Sequence, residues 1–145
     1  MFVPEILYEF PERQLDREPS GVRWLSQNEL EIFNAHLTLC DQRNLSQTIW
    51  DSIYDEGTMY CLLFVDNFPV ARACVEKYSA DAWEVADVRV VKSFRNKGLA
   101  FDVCSFVLRY ILEQGKTATI RTEEDNYPMQ KVIDKLGFVP TMRGF

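Results

Sequence analysis

Apolar and polar positions along the chain change period several times, and each change marks an element. Val22-Arg23-Trp24-Leu25 reads as a short strand. Ser26 and Glu29 have the spacing of a helix-capping pair, and Leu30, Phe33 and Leu37 then form one apolar stripe. Asn44 to Tyr54 predicts a second helix, with Leu45, Ile49, Trp50 and Ile53 on one face and Gly57 past its end. Met59 to Val65 is nearly continuously apolar, as a strand covered on both faces would be. Asp66-Asn67 supplies the turn into a strand from Val70 to Tyr78, and Ser79 to Asp81 turns the chain again into Trp83 to Val91. These three strands form an antiparallel meander.

The period then lengthens. Leu99, Val103, Val107, Tyr110 and Ile111 recur at helical spacing between Gly98 and Gln114, and Gly115 stops the helix. Thr117 to Thr122 is a β-branched strand. Pro128 opens a last helix through Met129, Val132, Ile133 and Leu136; Gly137 closes it, and Phe138-Val139 begins a final short strand. The order β-α-α-β-β-β-α-β-α-β predicts an α/β (α+β) fold, a mixed and mostly antiparallel central sheet with helices on both faces. Residues 22–145 are expected to form this one domain. Residues 1–21 are read as an N-terminal arm that packs on the domain or on a second subunit. Ile6 to Phe10 is a candidate strand within it, punctuated by Pro4, Pro11 and Pro19.

Composition narrows the functional classes. The 145 residues carry a formal net charge of −6, without the basic footprint of a nucleic-acid binder. No apolar run is long enough to span a bilayer, and Met1 to Glu5 lacks the basic start of a signal peptide. A cytoplasmic protein, monomeric or homodimeric, is expected. Cys40, Cys61, Cys74 and Cys104 show no metal-ligand spacing and read as small buried hydrophobes in a reducing compartment, so no metal is expected. His36 is the only histidine, which makes a Ser-His-Asp or Cys-His arrangement a poor fit, and it is placed on a helix surface.

Candidate chemistry concentrates between Val88 and Ala100. A valine-rich strand ends, a polar loop follows, and a long amphipathic helix opens at Gly98. The first N–H groups of a helix lack intrahelical partners, and the macrodipole makes that end electropositive. Gly98 removes a side chain where a phosphate would approach, Ala100 keeps the next position small, and Arg95 and Lys97 add positive charge. A pyrophosphate cradle follows. Neither the P-loop pattern nor the three-glycine dinucleotide fingerprint is present.

Arg95-Asn96-Lys97-Gly98-Leu99-Ala100 resembles the Arg/Gln-x-x-Gly-x-Gly/Ala loop of the GNAT superfamily of N-acetyltransferases. Val90 to Arg95 fits the strand end and turn before that loop, with Lys92 where proline is usual. Thr122 to Asn126, the helix from Met129 to Leu136, and Gly137-Phe138 follow the family's later order. The similarity runs from about Met59 to Val139.

The resemblance implies that Arg95, Asn96, Lys97, Gly98, Leu99 and Ala100 bind the CoA pyrophosphate. Val88, Val90 and Val91 would face the pantetheine arm in a gap between two splayed strands, and Asn126 would touch that arm unless it serves only as a helix cap. Acetyl-CoA would be the co-substrate, and a primary amine would attack its thioester directly, with backbone N–H near Val90 polarising the carbonyl. The acceptor is a small-molecule amine, an amino acid or a peptide N-terminus. Glu84, sharing strand parity with Val88 and Val90, is the first candidate base; Asp87, expected on the opposite face, is the second. The position where many relatives carry a thiolate-protonating tyrosine is Ile133 here, and Tyr127 lies at the helix start. That departure keeps open an alternative, a non-catalytic acyl-CoA-binding sensor. Asp51, Asp55 and Glu56 are candidates to attract a cationic acceptor, or else a solvated helix end. Little sequence follows Gly137-Phe138, so the acceptor pocket is expected to be open, or completed by the N-terminal arm or a second subunit.

Overall fold

The structure is a computed structural model that describes residues 3–15 and 19–141. One sheet holds strands β1 (Glu5–Glu9), β2 (Val22–Trp24), β3 (Met59–Val65), β4 (Phe68–Glu76), β5 (Ala82–Val90), β6 (Thr117–Glu123) and β7 (Val139–Pro140). Their spatial order is β2-β3-β4-β5-β6-β1-β7. All neighbours are antiparallel except β5 and β6, whose connection crosses over through a helix as a parallel pair requires. The helices are α1 (Leu30–Leu39), α2 (Gln47–Asp55), α3 (Leu99–Glu113) and α4 (Tyr127–Leu136). This is the expected α/β layering, and among the described residues no helix is long and apolar enough to cross a membrane.

Two apolar clusters fix the layers. On one face Val103, Val107, Leu108 and Ile111 of α3 and Ile133 of α4 bury against Val75, Val85 and Ile120. On the other, Phe33 and Leu37 of α1 and Trp50 of α2 close over Tyr60, Leu62 and Cys74. The Trp50 indole N–H donates to the Gln27 carbonyl at 2.7 Å, so its one polar atom is satisfied. Ser26 and Glu29 interact before α1, the Ser26 N–H donating to the Glu29 carboxylate at 2.8 Å. Helix α2 starts at Gln47, three residues later than expected, and Ser46 caps it by accepting from the Ile49 N–H. Ile49, expected on the apolar face, is 51% exposed, while Trp50 and Ile53 face the core. Asp66 and Asn67 take left-handed conformations in the β3–β4 turn, the two-residue geometry that matches the twist of paired strands.

The candidate strand at Ile6 to Phe10 forms as β1, shifted by one residue, and it is built into the sheet. Strand β1 lies inside the sheet, antiparallel to both β6 and β7, with Glu5 opposite Glu123 and Glu9 opposite both Thr119 and Val139. Pro4 and Pro11 stand just outside Glu5–Glu9, so they bound the strand where a missing N–H is tolerated. The Glu124 N–H donates to the Pro4 carbonyl and the Phe10 N–H to the Ala118 carbonyl, both at 2.9 Å. Phe10 then packs edge-on against Phe138. The segment expected to lie on the domain is a strand of it.

Candidate active site

Strands β5 and β6 pair from Ala82 and Thr117 up to Val85 and Ile120, and there the ladder stops. Both strands continue, to Val90 and Glu123, with a gap between them. A bulge in β5 accompanies the divergence. Arg72 and Cys74 of β4, two residues apart, oppose Arg89 and Ala86 of β5, three apart, and Asp87 has φ 48°. Bulges bend the strand that carries them. Meanwhile β6 stays paired with β1 as far as Glu123, which holds it on the far side of the gap.

The backbone at the top of β5 is oriented by its bonds to β4. The Val91 N–H donates to the Val70 carbonyl at 2.8 Å, while Val90 lies opposite Ala71. Antiparallel alternation therefore turns the N–H and C=O of Val90 away from β4 and into the gap. Arg95 folds back so that its Nε donates to the Val90 carbonyl at 3.2 Å. Val91, expected to face the gap, has its amide occupied by β4 and its side chain in the α3-side core.

The bulge also corrects the expected parity. Ala86 packs on the α1/α2 side, and Glu84, two residues back, shares that side. An unbroken strand would place Val88 and Val90 there too. Instead Asp87 contacts Tyr60 and Arg72 on the α1/α2 side, while Val88 and Val90 pack with the α3-side core. Glu84 and Asp87 thus face one side, and the valines the other.

At the end of β5 the chain makes a short 3-10 turn at Lys92–Phe94 and enters α3 through two left-handed residues, Asn96 (φ 64°) and Gly98 (φ 79°). The first bond of α3 runs from the Asp102 N–H to the Gly98 carbonyl, leaving the Leu99 and Ala100 amides without intrahelical acceptors. Among the described residues the N-cap, Gly98, makes no side-chain bond to this end. A Cβ added at Gly98 would meet nothing within 4 Å. The space ahead of the helix is open, and the loop around it carries Lys92, Arg95 and Lys97 against one carboxylate, Asp102, in the first turn. These features fit an anionic diphosphate.

The two carboxylates have different surroundings. Glu84 is buried, and both of its oxygens accept from Nε of Arg121, at 3.0 and 3.2 Å. Burial pushes its carboxyl above the ordinary range while Arg121 opposes the shift. Asp87 keeps 42% of its side chain exposed. Its Oδ2 accepts from the Tyr60 hydroxyl at 2.6 Å and Arg72 Nε at 3.2 Å, and its Oδ1 from Arg72 Nη2 at 3.0 Å. Behind Arg72, Nη1 donates to Gln42 Oε1 at 2.7 Å and approaches His36 Nε2 at 3.3 Å. The other His36 nitrogen donates to the Pro69 carbonyl at 2.8 Å. His36, expected on a helix surface, is fully buried, because it lies three residues after Phe33 on the inward stripe. Burial lowers its pKa to about 4, so the ring is neutral at pH 7. All four cysteines are free and buried, and burial pushes the Cys61 thiol up to about 12, consistent with packing rather than nucleophilic roles.

The sequence profile of the Acetyltransferase (GNAT) family matches residues 20–138. The chain belongs to this family. No curated protein is similar enough to match the sequence. Among solved structures, the GNAT-family protein from Novosphingobium aromaticivorans DSM 12444 superposes with a TM-score of 0.77 at 15% identity over 96% of this chain and 60% of that one. A GNAT acetyltransferase from Colwellia psychrerythraea gives 0.75 at 18% over 97% and 53%. The chain thus spans little more than half of each of these relatives. The aminoglycoside N-acetyltransferase AAC(6')-Iy, solved with the bisubstrate analog CoA-S-monomethyl-acetylneamine, gives 0.70 at 20% over 86% and 93%. At these identities the likeness is one of fold.

Against the GNAT pattern, Ile133 is fully buried in the α3-side core and offers no proton. Tyr127 is 65% exposed at the first position of α4. Asn126 caps α4, its Oδ1 accepting from the Met129 N–H at 3.2 Å. Asp51 accepts from Gln27 and Gln47, at 3.0 and 2.8 Å, as a helix-surface carboxylate does. Arg72, Tyr60, Gln42 and Arg121 were not singled out by the sequence. Only Arg72 carries a signal there, a lone charge inside the apolar run Val70 to Val75.

Proposed function

We propose that this GNAT domain transfers an acetyl or related acyl group from acyl-CoA to a primary amine. The observation that carries the reading is that β5 leaves β6 after Val85 and leads on through the loop into the left-handed entry to α3 at Gly98. Amides at Leu99 and Ala100, with Arg95, Asn96 and Lys97 around them, would hold the pyrophosphate. The pantetheine arm would lie along β5, where Val90 presents its N–H and C=O, with Val88 beside it. The Asn126 amide at the head of α4 is a further contact to that arm.

Acyl-CoA supplies an activated thioester. The neutral amine nitrogen bonds to the carbonyl carbon, the C–S bond breaks, the amine proton passes to water, and the thiolate takes a proton from water. Solvent suffices for that last step because a thiol's unperturbed pKa is only about 8.5, and the position where many relatives carry a tyrosine holds the buried Ile133. A gap-facing amide such as that of Val90 would stabilise charge developing on the carbonyl oxygen. Glu84 or Asp87 would receive the proton through water or anchor the acceptor. The net charge of −6 favours a cationic acceptor. AAC(6')-Iy carries aminoglycoside acceptors, and an Escherichia coli neighbour acts on the alanine of ribosomal protein S18; this supports testing polyamines and peptide N-termini here.

The missing tyrosine favours a second reading, an acyl-CoA-binding module without turnover. Calorimetry with acetyl-CoA, followed by thiol release with neamine and an alanine-terminated peptide, separates the two. Heat with thiol release supports the enzyme; heat without it supports the module; no heat with acetyl-CoA or CoA removes both.

A further inference from the structure

We propose that Tyr60 and Arg72 are positioning residues for acyl transfer, clamping Asp87 in its bulge so that its exposed carboxylate edge meets the acceptor amine at the mouth of the gap. The inference rests on the acyl-transfer reading and assigns that reading's acceptor contact.

Asp87 lies two residues beyond Val85, where the β5–β6 ladder ends, and it is exposed while Tyr60, Arg72 and His36 behind it are buried. A left-handed conformation at a non-glycine residue persists only where its surroundings hold it. Here three donors do so, the Tyr60 hydroxyl from β3 and Nε and Nη2 of Arg72 from β4. Arg72 is itself 5% exposed, a buried cation that needs partners on every side. Its third nitrogen is engaged by Gln42 and by the neutral ring of His36, which is anchored on Pro69. The clamp therefore runs from α1, through β4, to the bulge.

Oδ2 of Asp87 accepts two of these bonds and Oδ1 only one. A carboxylate oxygen has two lone pairs, so Oδ1 retains capacity on the exposed side. That capacity suits an N–H of the acceptor amine or the water that takes its proton. The clamp also holds the bulge that sends Val88 and Val90 to the opposite face, so it couples acceptor placement to the gap-facing amide of Val90. The charged and titratable groups around Asp87 are Tyr60, Arg72 and Cys74 from the sheet, His36 from α1 and Cys40 just past its end, and Arg89 on its own strand.

The test uses the full chain with acetyl-CoA and either neamine or the alanine-terminated peptide. Tyr60→Phe keeps the ring in its aromatic cluster with Phe33 and Trp50 and removes only the hydroxyl. Its amine kcat/KM should fall about tenfold, the worth of one hydrogen bond to a charged group, while the acetyl-CoA Kd stays within about threefold. Arg72→Met should lower amine kcat/KM further, with the acetyl-CoA Kd again unmoved. In an Asp87→Asn background Tyr60→Phe should change nothing more, since its effect passes through the carboxylate. Wild-type amine kinetics in Tyr60→Phe would overturn the inference, whether or not Arg72→Met folds. So would a full tenfold loss in the Asp87→Asn background. A wild-type protein that acetylates neither amine removes acyl transfer itself, and this inference with it.

Discussion

Arg121, the first residue of β6 past the last paired position, reaches back to Glu84 on β5 and binds both carboxylate oxygens through its Nε. The pair spans the two strands where their backbones cease to bond, and so marks the closed end of the gap. Burial raises the Glu84 carboxyl toward the range useful to a base, while Arg121 occupies both of its oxygens.

Glu84→Gln should keep the fold and the acetyl-CoA Kd, since Arg121 is 37% exposed on its side chain and can turn to water. Thiol release in the presence of an amine should fall by about a hundredfold, the lower end of what a general base contributes. Full activity of this variant across pH 6 to 9 would leave Glu84 a structural staple only.

Replacing Gly98 by alanine forces a side chain into a left-handed position, which costs about 1–2 kcal/mol, and projects a methyl into the open space before α3. Calorimetry should show acetyl-CoA affinity reduced at least about tenfold, with melting lowered by only a few degrees. Arg95→Glu should weaken acetyl-CoA binding by a similar factor through charge alone. If both variants bind as tightly as the wild type, the diphosphate does not sit at this helix entrance.

Ile133→Tyr places the common GNAT residue at this position, yet should not raise turnover. The isoleucine is fully buried among α3-side core residues, so the larger ring overpacks the core, a change that costs roughly 1–3 kcal/mol. Chemical denaturation should show the lost stability, and thiol release should stay at or below the wild-type rate.

His36 makes stability depend on pH. Its folded pKa of about 4 lies below the ordinary 6.5, so the unfolded chain binds the proton more tightly. Stability is therefore highest above pH 6.5 and falls as pH drops from there toward 4, by up to about 3 kcal/mol from this group. His36→Asn, which keeps a donor for the Pro69 carbonyl, should flatten thermal melts across that window. A variant that loses as much between pH 6.5 and 4 as the wild type would show that other groups set the slope.

Features with local chemistry were legible in the sequence. Asp66-Asn67 had to turn, Gly98 had to open a helix, and the apolar stripe of α3 had to face the sheet. The bulge at Asp87 was not, because no glycine or proline marks it in Ala82–Val90 and its cause is a set of bonds to residues far along the chain. Without it, simple alternation put Glu84 with Val88 and Val90. For β1 the difficulty was different: prolines at 4 and 11 read as interruptions, although they flank the strand. His36 continued the stripe of Phe33, but its polarity argued for the surface until Arg72 and Pro69 were seen to satisfy it.

Glu5 finds its partner in Glu123, and Glu9 in Val139, so β1 is completed by strands more than a hundred residues further along the chain. During synthesis Glu5–Glu9 must wait, unpaired on both edges, while ribosomes adding about 5–20 residues per second produce nearly all of the remaining domain. Such sequence-distant pairing raises contact order and slows the final closure. A nascent chain stalled before Thr117 would carry an open apolar strand, an invitation to chaperones or to the same segment of a neighbouring polypeptide.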